Sequence, residues 1–138
     1  VEPETRLPRT LKERLKELAL DFEVGLLETA CRESSDDFEI LFHLGNAYTR
    51  SGRYAEGLQV DMKLCSLAPD NPVVHYNLAC SLSLLGRIDE SLAALRKSLE
   101  LGYSEFGFIR GDSDMENARR DSRFDEMLEV FEKGKKKT

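Results

Sequence analysis

The feature that most constrains this chain is a recurrence at a shift of 34 residues. It pairs Leu44 with Leu78, Gly52 with Gly86, Arg53 with Arg87, Glu56 with Glu90, Leu58 with Leu92, Lys63 with Lys97 and Leu67 with Leu101. A period of this length marks a stacked supersecondary unit. Within each unit the apolar residues keep helical spacing: Leu41, Leu44, Tyr48 and Leu58, Met62, Cys65, then Leu78, Leu82, Leu85 and Leu92, Leu95, Leu99. Gly52 and Gly86 interrupt that spacing midway, where a left-handed residue ends one helix before the next begins. Each unit is therefore a helical hairpin. In the linker "APDNP", Asp70 or Asn71 can cap a helix and Pro72 suits its first turn. The pattern predicts helices near 38–51, 54–67, 72–85 and 88–101.

Two-helix units at this period resemble the tetratricopeptide repeat, whose pattern runs Trp-x2-Leu-Gly-x2-Tyr, then Ala-x3-Phe, then Pro. The first unit supplies Leu41, Leu44, Gly45, Tyr48 and Pro69 at those places. The second supplies His75, Leu78, Ala79 and Leu82, with Tyr103 in place of the proline. Gly57 and Ser91 replace the small Ala, and the aromatic four residues later is Asp61 in one unit and Leu95 in the other. Asp61 thus occupies an expected core position. A buried carboxylate needs a partner, with Tyr48 and His75 as candidates; the alternative is a slightly rotated helix that leaves Asp61 wet.

The resemblance implies an all-α, right-handed α-α solenoid forming a single domain over residues 1–138. Residues 38–71 and 72–105 are the clear repeats. Ahead of them, Leu11, Leu15 and Leu18, then Phe22, Leu26, Leu27 and Ala30, suggest a degenerate N-terminal hairpin over 8–37. After Leu101 the periodicity fails, and Ser113 and Ser122 read as starts of a short helix and a longer one within a C-terminal cap over 106–133. This segment is similar to the tail that follows such repeats in many bacterial proteins, so a short repeat protein of that type is the expectation. A basic tail, 134–138, closes the chain. It opens on Val1, which favours a fragment, whereas the capped end favours a complete protein.

Composition excludes several function classes. Hydrophobic residues make up 41% and charged residues 33%, a globular balance. The sequence has no apolar run of about eighteen residues and no signal-peptide core. The net charge is −6 even with Lys133, Lys135, Lys136 and Lys137 clustered at the end, which argues against nucleic acid as the main partner. Cys31, Cys65 and Cys80 form neither a Cys-x-x-Cys pair nor an even disulfide set, and point to a reducing, cytoplasmic setting. The sequence contains no phosphate loop, nucleophile elbow or His-Glu-x-x-His motif. His43 and His75 lack a local catalytic signature, and Asp36–Asp37 and Asp112–Asp114 are explained as helix caps. No enzyme activity, metal or cofactor is expected, and Arg110-Gly111-Asp112 is read as coincidence.

What remains is surface. The resemblance implies a concave groove lined by the first helix of each hairpin, here Phe42, His43, Asn46, Thr49, Arg50, Tyr76, Asn77 and Cys80, with Glu39, Val73, Ser83 and Leu84 alongside. Amide and aromatic groups suit an extended peptide of a protein partner. The competing reading is that Phe42 and Tyr76 seal hairpin junctions. Chaperone-binding members of the family clamp a C-terminal carboxylate; Asn46 and Asn77 fall on the clamp's two Asn places, but Phe42, Gly107 and Gly111 fall where cations are needed. A clamp without cations loses its charge-assisted hydrogen bonds, so that mode is not expected. The expected function is a non-catalytic protein-interaction module. The alternative is an accessory or oligomerisation domain with no free peptide groove; the oligomeric state is open.

Overall fold

A computed structural model describes residues 10–136. The helices in chain order are α1 (Leu11–Glu33), α2 (Phe38–Arg50), α3 (Tyr54–Leu67), α4 (Pro72–Leu84), α5 (Ile88–Glu100), α6 (Phe106–Gly111), α7 (Glu116–Arg119) and α8 (Ser122–Lys136), with one 3₁₀ turn at Ser113–Met115. Among the described residues there is no strand. The four repeat helices begin and end within one residue of the sequence expectation.

Their boundaries have local causes. Asp37 accepts the Ile40 N–H at the start of α2, and Asn71, followed by Pro72, accepts the Val73 N–H at the start of α4. Gly52 and Gly86 take φ of 78° and 74°, which lets the Arg53 N–H reach the Tyr48 carbonyl and the Arg87 N–H reach the Leu82 carbonyl, both at 2.9 Å. Each turn is followed by the same ion pair: Arg53 forks onto Glu56, and Arg87 onto Glu90. The repeat therefore recurs in its turn chemistry as well as its core.

Two apolar clusters run through the stack. Val24, Leu41, Leu44, Tyr48, Val60 and Leu64 join α1, α2 and α3. Leu58 of α3 and Leu82, Leu92, Leu95 and Leu99 of the second hairpin join Met115, Phe124 and Leu128 of the C-terminal segment. Leu44 and Leu78 occupy equivalent places, one in each cluster. Between the clusters lies Asp61, 4% exposed.

The N-terminal hairpin over 8–37 is not formed. Residues 8 and 9 lie outside the described residues, and 11–33 are one continuous helix. The reason is local: Thr10 and Glu13 close a reciprocal capping box, and no Gly, Pro or capping pattern lies between Leu18 and Phe22 to stop the helix. α1 packs Leu20, Val24, Leu27 and Cys31 on α2. Leu11, Leu15, Leu18, Phe22 and Leu26 are exposed instead of forming a hairpin core.

The cap also differs in detail. α6 was not expected; Phe106 and Ile109 hold it by burial. Asp112 rather than Ser113 caps the 3₁₀ turn, and Asp121 rather than Ser122 accepts the Arg123 N–H at the start of α8. In each case the carboxylate lies one residue earlier and reaches the open N–H. Ser83 ties the cap to α4: its hydroxyl accepts the Ala118 N–H and its carbonyl accepts the Asn117 amide. The basic tail begins within α8, with Lys137 and Thr138 outside the described residues.

Candidate functional site

The sequence places a small residue, Gly45, on the face of α2 turned toward α3, and an Ala there would meet Asp61 Oδ1 at 3.1 Å and Val60 at 3.3 Å. This close approach brings the carboxylate of Asp61 to the floor of a pocket of about 220 Å³ between α2, α4 and the segment after α5. Five of the eight predicted groove residues line it: Asn46, Thr49, Tyr76, Asn77 and Cys80. The other three lie outside. Phe42 packs on the first core cluster and stacks on Phe38 of its own helix at 6.1 Å. His43 is exposed with its ring edge-on to Phe42. Arg50 reaches away to Glu23 of α1 at 2.6 Å.

Asp61 has neither of the expected partners. The Ser81 hydroxyl donates to Asp61 Oδ2 at 2.5 Å. Tyr48 donates instead to Glu28 at 2.8 Å, and the His75 ring meets the Pro69 carbonyl at 2.7 Å and the Cys65 thiol at 3.8 Å. Burial raises the Asp61 pKa to about 6, and the Ser81 hydrogen bond works against that rise. The wet alternative is likewise overturned by its burial.

The pocket's far wall comes from residues that periodicity could not assign. Tyr103 stacks on Tyr76 with centroids 4.6 Å apart and planes 12° from parallel, and Phe108, 59% exposed, tilts toward Tyr76 at 6.1 Å. The Tyr76 hydroxyl donates to Asp112 Oδ2 at 2.6 Å, while Asp112 Oδ1 accepts the Asp114 N–H. Asp112 is thus both a cap and a groove group. The Asp114 carboxylate, half-buried beside it, accepts no hydrogen bond among the described residues, and its pKa is raised by burial and then by the charge of Asp112. The half-buried Asn77 side-chain amide is also without a protein partner there, whereas Asn46 donates to the Phe42 carbonyl of its own helix.

Cys80 Sγ and carboxylate oxygens of Asp112 and Asp114 lie within 4.8 Å of one another, a spacing that a cation can bridge. Burial, then Asp112 and Asp114, push the Cys80 thiol well up, so it stays protonated as a weak donor to Asp112. A protonated thiol is a poor ligand and a poor nucleophile, and Asp112 is already engaged. The trio is better described as the acidic wall of the pocket.

The profile of the tetratricopeptide repeat matches residues 38–71 and 73–101, the two hairpins that frame this pocket. Both hairpins are tetratricopeptide repeats. The chain is 29% identical over 125 residues to a chloroplastic protein of Arabidopsis thaliana, a match covering 88% of this chain and 36% of that protein. It is 33% identical over 101 residues to the TPR repeat-containing thioredoxin TTL4 of Arabidopsis thaliana, covering 66% of this chain and 14% of that one. The chain thus spans about a third or less of the length of these curated relatives. Among solved structures it is similar to MamA MSR-1 C2, with a TM-score of 0.64 and 21% identity over 88% of this chain and 72% of that one, a likeness of fold. Tetratricopeptide repeats mediate protein–protein interaction. No helix among the described residues is long and apolar enough to cross a membrane.

Proposed function

We propose that the chain is a non-catalytic protein-interaction module that holds an extended segment of a partner protein along the groove between α2 and α4. The observation that carries this reading is the pairing of two polar groups without hydrogen-bond partners among the described residues, the Asn77 amide and the Asp114 carboxylate, in one pocket walled by Tyr103 and Phe108. The amide suits a peptide backbone, which offers both donor and acceptor. The carboxylates of Asp112 and Asp114 beside aromatic faces suit a lysine or arginine side chain of that segment, through ion pairing and cation–π attraction together. None of the residues lining the pocket is basic, which sets this mode apart from a carboxylate clamp.

The module reads a protein, not nucleic acid, because its net charge is −6. A reducing compartment suits its three free cysteines, the cytoplasm or, following the chloroplastic relative, a plastid. The test is affinity capture with Asn46→Ala/Asn77→Ala and, separately, Asp114→Asn. Both variants keep the wild-type melting temperature and lose most of the captured partner. Capture equal to wild type with both would overturn the reading. Self-association, the alternative, is favoured by a different surface.

A further inference from the structure

We infer that the outer face of α1 is a self-association surface that pairs antiparallel with α1 of a second copy of this chain. The helix is two-faced. Leu20, Val24, Leu27 and Cys31 pack on α2, and the opposite side carries Leu11, Leu15, Leu18 and Phe22, exposed by 71%, 57%, 63% and 73%. Residues 11–19 are exposed all round, so the first two and a half turns of α1 project from the body. An isolated stretch of helix that short is marginal in water and is strengthened by a partner.

The repeats show how unusual this face is. At the 34-residue period Phe22 corresponds to Glu56 and Glu90, which stand in solvent and pair with Arg53 and Arg87. At the one position of this apolar stripe that they share with α1, the other second helices carry charge, whereas α1 carries Phe22 and, in the turns by which it extends further back than they do, Leu11, Leu15 and Leu18. Their spacing of four, three and four is that of coiled-coil core positions d, a, d, a.

The stripe is complementary to itself. Antiparallel pairing sets Leu11 against Phe22 of the second copy and Leu15 against Leu18, with the same two contacts repeated across the two-fold axis. On one edge of the stripe lie Arg14 and Asp21, neither with a side-chain ion pair among the described residues. In the antiparallel register Arg14 meets Asp21 of the second copy, twice. Parallel pairing would set Arg14 against Ala19 and Asp21 against Leu26, with no charge matched, and would align the helix dipoles unfavourably. Because the stripe lies opposite the α2 contact, the two bodies stand on opposite sides of the paired helices. Burying these side chains removes on the order of 1,000 Å² in total, the low end for a specific interface and the size class of weak, reversible association.

Sedimentation equilibrium of the intact chain tests this, with expected masses of a dimer at about 100 μM and a monomer at about 1 μM. Leu15→Glu/Leu18→Glu is monomeric throughout and keeps the circular dichroism of the dilute wild-type chain, since both side chains are exposed in the single chain. Arg14→Asp alone or Asp21→Arg alone weakens the dimer roughly tenfold, and the two together restore it, because the charges are exchanged across the same contact. A wild-type monomer at every concentration overturns the inference, as expected if the stripe serves another occupant. So does a dimer that survives the Leu15/Leu18 change, or a charge-exchanged double variant no tighter than the single variants.

Discussion

The two ends of the stack solve the same problem in opposite ways. After α5 the repeat pattern stops and the chain folds back: Met115, Phe124 and Leu128 are fully buried against the last hairpin, and Ser83 fastens the join with its hydroxyl and carbonyl. Before α2 a single helix covers the first hairpin with one side and leaves Leu11, Leu15, Leu18 and Phe22 in solvent on the other. A solenoid needs its terminal apolar surface covered, because each unit buries only what its neighbours cover. The C-terminal end is covered from within the chain, whereas the N-terminal end presents a surface fit for a second molecule.

This contrast can be broken at either end. Phe124→Ala empties a fully buried site and is expected to cost about 3–5 kcal/mol in urea unfolding; a cost below 1 kcal/mol would mean that the cap is not part of the core. The middle of the stack provides a reference that neither end touches. Asp61 is held at a pKa of about 6 against an ordinary 3.8, so the fold favours its protonated form. The stability this contributes is present below pH 3.8 and is lost as pH rises through 6. Asp61→Asn, which does not titrate and keeps an acceptor for Ser81, should be more stable than wild type by roughly 3 kcal/mol at pH 8 and about equal at pH 3.5. Equal stability at both pH values would contradict the buried carboxylate. Ser83→Ala leaves the Ala118 N–H unpaired and should cost about 1–2 kcal/mol. Phe22→Ser, at the open end, should change the unfolding free energy of the dilute chain by less than about 0.5 kcal/mol.

The parts of this architecture that repeat were legible from the sequence, and the parts made once were not. Gly52, Gly86 and the Asp37 and Asn71 caps bound the helices because local chemistry stops a helix wherever it occurs. The spacing suggests an N-terminal hairpin where one helix forms because apolar residues at helical spacing look alike whether they face a core or solvent; the missing breaker between Leu18 and Phe22 is the signal for one helix. Ser81 as partner of Asp61 depends on how two hairpins stack, which spacing along the chain does not encode. Asn46, Thr49, Tyr76, Asn77 and Cys80 converge because they recur on the first helices. Tyr103, Phe108, Asp112 and Asp114 reach the same pocket from a segment without periodicity; the cap reading holds for Asp112 but not for Asp114, whose N–H is the group Asp112 caps and whose own carboxylate caps nothing.

Hydrogen exchange on the intact chain, read at low and high protein concentration, tests the contrast between the ends most directly. The account predicts that amides of residues 122–131 are equally protected at both concentrations, while those of residues 11–22 exchange quickly when dilute and slow at least tenfold when concentrated. Protection of residues 11–22 that does not change with concentration would contradict it.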